Sequence, residues 1–226
     1  METICISVGG SILIGSEGLN VRYIKNFVDL LASYKDLKFV VVTGGGETAR
    51  KYMSYGKNFT TNQQIFDDIA IGVTRLNAML MLSAANGKID TYPNVATTIQ
   101  EMKEAMLRHR LAVSGGLYPG ITTDAVTVLY AEALRSKKVV NVSNVPYVYE
   151  TSDIENSKPI KRLGYERLIE IAARYDSRDP GSNFVFDLVG CKLAKRSGIK
   201  IYFTNDDIKE LKKILDGKEH NGTVVE

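Results

Sequence analysis

The residues best suited to chemistry lie at 114–124, a run of small and hydroxyl side chains that reads Ser-Gly-Gly-Leu-Tyr-Pro-Gly-Ile-Thr-Thr-Asp. Glycines let backbone N–H groups approach a ligand closely. Thr122 and Thr123 add hydroxyl donors where an alanine-rich segment begins a helix, and the N-terminus of a helix favours anions. The run therefore predicts one wall of a pocket for a phosphate-bearing substrate.

Two further glycine clusters follow apolar segments earlier in the chain, at Gly9–Gly10 and at Gly44–Gly46. Three such loops indicate that more than one phosphate is bound. The Gly44–Gly46 cluster lacks the spacing of a dinucleotide-binding fingerprint, and the third loop has Ile121 where a P-loop needs lysine. The sequence thus favours phosphate binding outside the Rossmann and P-loop classes.

The elements that must position these loops can be read from hydrophobic periodicity. Continuous apolar runs predict strands at 3–8, 37–42, 111–113, 138–142 and 199–203, each covered on both faces. Helical patterns alternate with them at 21–34, 47–55, 67–85, 98–108, 124–134, 164–173, 187–197 and 206–215, with Asn205 as the cap of the last helix and Gly217 at its end. This alternation predicts an α/β fold with a mostly parallel central sheet between two layers of helices. In such sheets ligands bind beyond the carboxyl ends of the strands, where all three glycine loops fall.

Composition narrows the class of protein. The chain has 226 residues, 44% of them hydrophobic, and a formal net charge of +3, which is too balanced to imply a nucleic-acid or membrane surface. Cys5 and Cys191 stand far apart in apolar contexts and are expected to be buried free thiols in a reducing, cytoplasmic compartment. The first residues have neither the basic start of a signal peptide nor the length of a membrane span. Only two histidines are present, so a histidine-built metal site is not expected.

The ordered motifs resemble the amino acid kinase family. They comprise the first glycine pair with its serine, the Gly44–Gly46 cluster with Arg50, the helical segment Thr-Arg-Leu-Asn-Ala at 74–78, the run at 114–124 and the segment at 144–149. The similarity is greatest to the archaeal branch that phosphorylates UMP. It implies transfer of a phosphoryl group from ATP to UMP with the help of Mg²⁺, in a homohexamer. It also implies a single domain over 1–226, with 1–145 mainly the acceptor lobe and 146–226 mainly the ATP lobe. The two prolines and several polar residues of segment 146–159 predict a linker or lobe boundary there.

The resemblance assigns a set of residues to ATP. The first loop lies against the ATP phosphates, the second loop and its arginine face ATP, and the segment after the fourth predicted strand contacts the base and ribose. The corresponding residues here are Gly9, Gly10, Ser11, Gly46, Arg50, Ser143, Asn144 and Tyr149.

A second set is assigned to UMP and to the transferred phosphoryl group. Asp67 corresponds to the acidic residue that holds the UMP ribose, Gly45 contacts UMP, and the third loop wraps the phosphate and the uracil. The loop residues are Leu117, Tyr118, Pro119, Gly120, Ile121, Thr122 and Thr123. Asp124 organises the cations around the transferred group, Lys192 lies near the ATP phosphates, and Arg50 completes the expected catalytic set.

The chain departs from the family pattern at several positions. Pro146 and Tyr147 replace the usual Asp-Gly turn near the ATP base, and the usual acidic residue after that turn falls on Ser152, with Asp153 one place late. Ser7 stands where many relatives have a lysine. Donor affinity is therefore expected to differ from that of typical relatives.

Other interpretations of the same residues remain open at this stage. Glycine pairs also make ordinary turns, Asp67 and Asp124 also suit the first turn of a helix, and Arg50 and Lys192 also suit exposed helix faces. A different small-molecule kinase of the same family, acting on isopentenyl phosphate, N-acetylglutamate or carbamate, is one alternative function. A non-catalytic oligomer that binds nucleotides or oxyanions is the other.

Overall fold

Continuous apolar runs form the centre of a parallel sheet in the computed structural model, which describes residues 1–151, 153–176 and 186–226. In chain order the elements are β1 (Glu2–Val8), α1 (Gly10–Leu13), β2 (Ile14–Gly15), β3 (Gly18–Leu19), α2 (Val21–Ser33), β4 (Leu37–Thr43), α3 (Gly46–Gly56), α4 (Gln63–Ala85), β5 (Thr91–Ala96), α5 (Ile99–Arg108), β6 (Leu111–Ser114), α6 (Thr123–Ala133), β7 (Lys138–Val142), β8 (Arg162–Leu163), α7 (Tyr165–Arg174), α8 (Leu188–Ser197), β9 (Lys200–Thr204), α9 (Ile208–Leu215) and β10 (Val224–Val225).

Within the described residues one eight-stranded sheet runs in the order β5-β6-β4-β1-β7-β9-β10-β8. Neighbouring strands are parallel throughout, except that β10 is antiparallel to β9. Because parallel strands need crossover connections, helices cover both faces. The predicted mostly parallel α/β architecture is confirmed.

Two hydrophobic cores lie on the two faces of the sheet. One packs Met102 of α5, Val126 of α6, Leu168 of α7 and Cys191 of α8 against one face. The other packs residues of α2, α4 and α9 against the opposite face, among them Phe27, Met81 and Leu211. Both cysteines are buried free thiols, as predicted. The molecule is therefore the expected sandwich of helices, sheet and helices.

The boundaries correct several predictions. Helix α4 begins at Gln63 rather than at 67, because the side chain of Asn62 accepts the N–H of Gln64 and caps the helix there. Helix α9 is capped by Asp207, so the predicted cap at Asn205 is wrong. The side chain of Asn205 instead accepts the N–H of Asp207. Gly217 has φ +70° directly after the C-cap, as expected for a glycine that ends a helix.

Strand β5 was not predicted. It is an edge strand that contains Pro93 and is only partly buried, so it lacks the continuous apolar run of the central strands. Short elements such as α1, β8 and β10 were also missed. In the described part of the chain, no helix combines the length and the apolar character needed to cross a membrane.

Segment 146–159, predicted to separate two lobes, connects β7 to the far edge of the sheet. Val148 forms an isolated antiparallel bridge with Ile160, and the backbone N–H of Thr223 donates to the carbonyl of Pro146. The segment is thus tied to the body of the sheet at both points. Ser152, one of the two positions considered for the ATP ribose, lies outside the described residues.

Candidate active site

A cavity of about 400 Å³ opens at the carboxyl edge of the sheet, where β1, β4, β6 and β7 end. All three glycine loops contribute to it, as the strand-order argument predicts. Most of the predicted site residues line this one cavity: Gly9, Gly10, Ser11, Gly45, Gly46, Arg50, Asp67, Tyr118, Gly120, Ile121, Thr122, Thr123, Asp124, Ser143 and Asn144.

Four predicted residues are not among those that line the cavity in the described part of the chain. Leu117 is buried in the core beneath the third loop, and Pro119 is exposed on that loop. Tyr149 is half-buried beyond the end of β7, and Lys192 is exposed on α8. Their roles stay predictions.

The first two glycine loops are locked together backbone against backbone. A Cβ on Gly10 would lie 1.9 Å from the nitrogen of Gly46, and a Cβ on Gly44 would lie 2.4 Å from the nitrogen of Gly10. Gly46 also has φ +65°, in the left-handed region that glycine adopts readily. These glycines are therefore required by the loop packing itself, in addition to leaving backbone N–H groups near a ligand.

Helix α4 supports the second and third loops through side-chain hydrogen bonds. The Thr74 hydroxyl oxygen, Oγ1, accepts the N–H of Gly116 at 2.7 Å, and the Asn77 amide donates to the carbonyl of Gly44 at 2.8 Å. Asn77 is buried, so this bond also satisfies its amide. The residues at 74–78 that carried part of the family resemblance are thus the scaffold for two loops of the site.

Asp67, near the start of α4, reaches the third loop. Its Oδ2 accepts the backbone N–H of Gly120 at 2.9 Å. Gly120 has φ +81°, a conformation that glycine tolerates without strain. The contact places a carboxylate of α4 beside the loop predicted to bind the acceptor.

Asp187 connects the third loop to α8 and was not predicted as a site residue. Its Oδ1 accepts the N–H groups of Val189 and Gly190 as the N-cap of α8, and its Oδ2 accepts the N–H of Thr122 at 3.1 Å. The side chain is buried and lines the cavity. One carboxylate therefore fixes both the start of a helix and the backbone of the third loop.

Asp124 lies in the first turn of α6 and lines the cavity. Its Oδ1 accepts two hydrogen bonds, from the Ser7 hydroxyl at 2.7 Å and from the Asn141 amide at 2.9 Å. Burial raises the pKa of Asp124 to about 6, the nearby charge of Asp187 raises it as well, and the two hydrogen bonds lower it. A carboxylate with this pKa is mostly ionised at neutral pH.

The lining is rich in carboxylates. Four carboxylates face the cavity among the described residues, those of Asp67, Asp124, Asp176 and Asp187. The same described lining contains one positively charged side chain, that of Arg50. A polyanionic ligand would therefore be neutralised by backbone N–H groups, by Arg50 and by cations that it brings with it. The arrangement suits phosphates that arrive with a divalent cation.

Two of the residues around Asp124 carried a signal in the sequence. Ser7 and Asn141 are polar residues inside otherwise apolar strands, and such residues are buried only when they have a partner. Asp187 precedes a helix pattern and is a typical N-cap, but nothing in the sequence indicates its contact with Thr122.

Comparison with known proteins agrees with the fold. A sequence model described as the amino acid kinase family matches residues 2–205. The chain is 34% identical to a uridylate kinase of Thermoplasma acidophilum over 227 residues, covering 100% of this chain and 97% of that protein. It is 37% identical to a uridylate kinase of Thermococcus kodakarensis, with 99% of each chain covered.

A solved structure extends the comparison to three dimensions. The uridylate kinase of Archaeoglobus fulgidus superposes with a TM-score of 0.85 at 32% identity and covers 100% of both chains. The family model, the full-length similarity and the superposed fold agree on one assignment. This chain belongs to the amino acid kinase family.

Proposed function

We propose that this chain is a uridylate kinase, which transfers the γ-phosphoryl group of ATP to UMP and releases ADP and UDP. The observation that carries the proposal is the convergence of three glycine loops, Asp67 and Asp124 on one cavity. The relatives support the same proposal, because the similarity extends over nearly the full length of the uridylate kinases compared.

The lining divides into a donor side and an acceptor side. ATP would lie against the two interlocked glycine loops, which include Gly10 and Gly46. Arg50 and the residues after β7 line the same part of the cavity. Asp67 and the third loop would hold UMP, with the carboxylate accepting a ribose hydroxyl and the loop N–H groups facing the phosphate. We assign 1–145 mainly to the acceptor lobe, which also supplies the glycine loops that face the ATP phosphates. Residues 146–226 are assigned mainly to the ATP lobe, with Tyr149 and Lys192 on the ATP side.

The chemistry asks for positioning and charge neutralisation. A phosphate oxygen of UMP attacks the γ-phosphorus of ATP, the bond from that phosphorus to the bridging oxygen breaks, and ADP leaves with the electron pair. The attacking phosphate is already largely ionised at neutral pH, so no general base is required. Loop N–H groups and Arg50 stabilise the charge that spreads over the transferred oxygens.

Magnesium enters this scheme as part of the nucleotide substrate. In the described residues, no group of three or more His, Cys, Asp and Glu side chains is arranged to hold a metal ion by itself. The carboxylate-rich lining fits a dication that arrives on the ATP phosphates, which is the way Mg²⁺ commonly binds. Mg²⁺ would neutralise phosphate charge during the transfer.

We also propose that the chain forms a homo-oligomer, a hexamer by the family resemblance, through the outer face of α4. Ile65, Leu76, Met79 and Leu80 lie exposed on this helix, and Met79 is 57% exposed. Apolar groups clustered in this way favour contact with another chain. Met79→Glu should lower the mass measured by light scattering, whereas Leu107→Glu on α5 should not; a monomeric wild type would contradict the proposal.

The buried free thiols of Cys5 and Cys191 suit a reducing compartment, and we propose the cytoplasm.

The acceptor assignment is tested by measuring UMP and ATP affinity separately by calorimetry in two neighbouring variants. Asp67→Ala removes the carboxylate that contacts the third loop and should weaken UMP binding by about 10-fold or more, the cost of a lost charged hydrogen bond. ATP affinity should be unchanged. Asp68→Ala is the matched control, because Asp68 is an exposed residue of the same helix turn outside the cavity lining. Equal UMP affinity in both variants would refute the assignment.

A further inference from the structure

An amide in a central buried strand needs an explanation. Asn141 lies in β7, between β1 and β9, is 5% exposed, and is flanked by Val140 and Val142. Central parallel strands covered on both faces are usually built from Val, Ile and Leu. An amide there is costly to bury unless it is hydrogen-bonded, so its partner indicates its role.

Ser7 is the same kind of exception in the adjacent strand. It is 1% exposed in β1, between Ile6 and Val8. The register of the two parallel strands places Ser7 opposite Asn141. Their strand neighbours two residues back, Cys5 and Val139, belong to the core on the α6 and α8 side, so the alternation of side chains directs Ser7 and Asn141 to that side.

Both side chains donate to the same atom, Oδ1 of Asp124, at 2.7 and 2.9 Å. Asn141 must present its NH₂ group, because its carbonyl oxygen would repel the carboxylate. None of the residues in 1–151, 153–176 and 186–226 donates a hydrogen bond to Oδ2. The sheet thus holds one oxygen of the carboxylate, and the other remains for groups in the cavity.

The charges near this carboxylate are of both signs. Asp187, the N-cap of α8, adds a negative charge. Burial raises the pKa of the Cys191 thiol on the same helix, and the charges of Asp187 and Asp124 raise it further. On the cavity side Arg50 and Asp176 line the same space, and Lys192 is exposed farther along α8. Burial and Asp187 raise the pKa of Asp124, and the Ser7 and Asn141 donors oppose that rise.

We propose that Ser7 and Asn141 are positioning residues for phosphoryl transfer, which hold Oδ1 of Asp124 against the sheet so that Oδ2 faces the reacting groups in one orientation. The inference rests on the proposed kinase function. It also gives a role to the buried Ser7 hydroxyl, which donates to the Asp124 carboxylate.

Two substitutions test this role. Asn141→Leu keeps the approximate volume and removes the donor, and Ser7→Val removes the hydroxyl. Ser7→Thr is the matched control for the second, because threonine has the shape of valine and retains the hydroxyl. Val139→Ala, on the same strand and face as Asn141, controls for loss of strand packing. Unfolding in urea establishes that each variant is folded.

Steady-state kinetics with ATP and UMP should separate positioning from binding. We expect Asn141→Leu and Ser7→Val to lower kcat by about 10-fold to 100-fold, by analogy with the outer residues that orient metal ligands, with KM for both substrates unchanged. The acid limb of the kcat profile should move to higher pH, because the lost donors favour the ionised carboxylate. Ser7→Thr and Val139→Ala should keep the wild-type kcat and pH profile.

Carbon-13 NMR titration of the Asp124 carboxyl gives a readout that does not depend on turnover. Its signal can be assigned with Asp124→Asn, and its pKa should be higher in Asn141→Leu than in the wild type. Folded variants with wild-type kcat and an unmoved titration would overturn the inference. A wild type that titrates as described and does not phosphorylate UMP would overturn the proposed function instead.

Discussion

Replacing Gly10 by alanine would place a methyl carbon 1.9 Å from the backbone nitrogen of Gly46 and 2.5 Å from its Cα. Both obstructing atoms belong to the backbone, so no side-chain rotation relieves the overlap. The two loops would have to separate by about 1.5 Å to reach ordinary contact, which begins near 3.4 Å. These loops form the predicted ATP side of the cavity.

The expected losses follow from that displacement. Overpacking a tight contact typically lowers the free energy of unfolding by about 1–3 kcal/mol. A clash between backbone atoms cannot be relieved by a flexible side chain, so we expect a loss of about 3 kcal/mol, the upper end of this range. A displacement of about 1 Å in groups that position a substrate costs on the order of 10²-fold in rate. We therefore expect Gly10→Ala to lose about 10²-fold in kcat/KM for ATP even where the protein is folded.

The assay pairs coupled ADP release with urea unfolding. Gly164→Ala is the control, because Gly164 has φ −78°, which alanine adopts, and an added Cβ meets nothing within 4 Å. It should keep wild-type turnover and change the unfolding free energy by less than about 1 kcal/mol. Wild-type activity and stability in Gly10→Ala would refute the role given to the interlocked loops.

Three further predictions concern single side chains. Asp124→Asn should be inactive yet more stable than the wild type above pH 6. The pKa of Asp124 in the folded protein is about 6, above the ordinary 3.8, so ionisation of this carboxyl costs the native state up to about 3 kcal/mol. Urea melts compared across pH should show this stability difference disappear near pH 4. Arg50→Met should lower kcat/KM by about 10²-fold to 10³-fold and change stability by less than about 0.5 kcal/mol, because the side chain is exposed; wild-type kinetics would remove Arg50 from the catalytic set. Asp187→Ala should lower the unfolding free energy by about 2 kcal/mol or more, since it removes a helix cap and the acceptor of a loop N–H, and an unchanged denaturation midpoint would contradict that role.

The central strands were predictable because burial on both faces leaves a continuous apolar run. Strand β5 was not, because an edge strand with a proline and exposed residues has no such run. Helix bounds depended on which of several capping residues was used. Asn62 starts α4 earlier than its apolar pattern suggests, and Asp207 rather than Asn205 caps α9.

The positions of the glycine loops followed from strand order, but their contacts did not. The sequence shows glycines at 10 and 46, and only the fold shows that their backbones touch. The link between Ser7 and Asn141 depends on the register of two strands whose paired residues lie 134 positions apart in the chain, and no local pattern encodes it. Contacts of this kind come from tertiary structure alone.

The central claim is tested most directly by coupled ADP release with MgATP and, in parallel, UMP, CMP, N-acetylglutamate, carbamate and isopentenyl phosphate, with Asp124→Asn as the control. We predict rapid turnover with UMP that is lost in the variant. Turnover with another acceptor in preference to UMP, or none with any acceptor despite ATP binding, would contradict the assignment as a uridylate kinase.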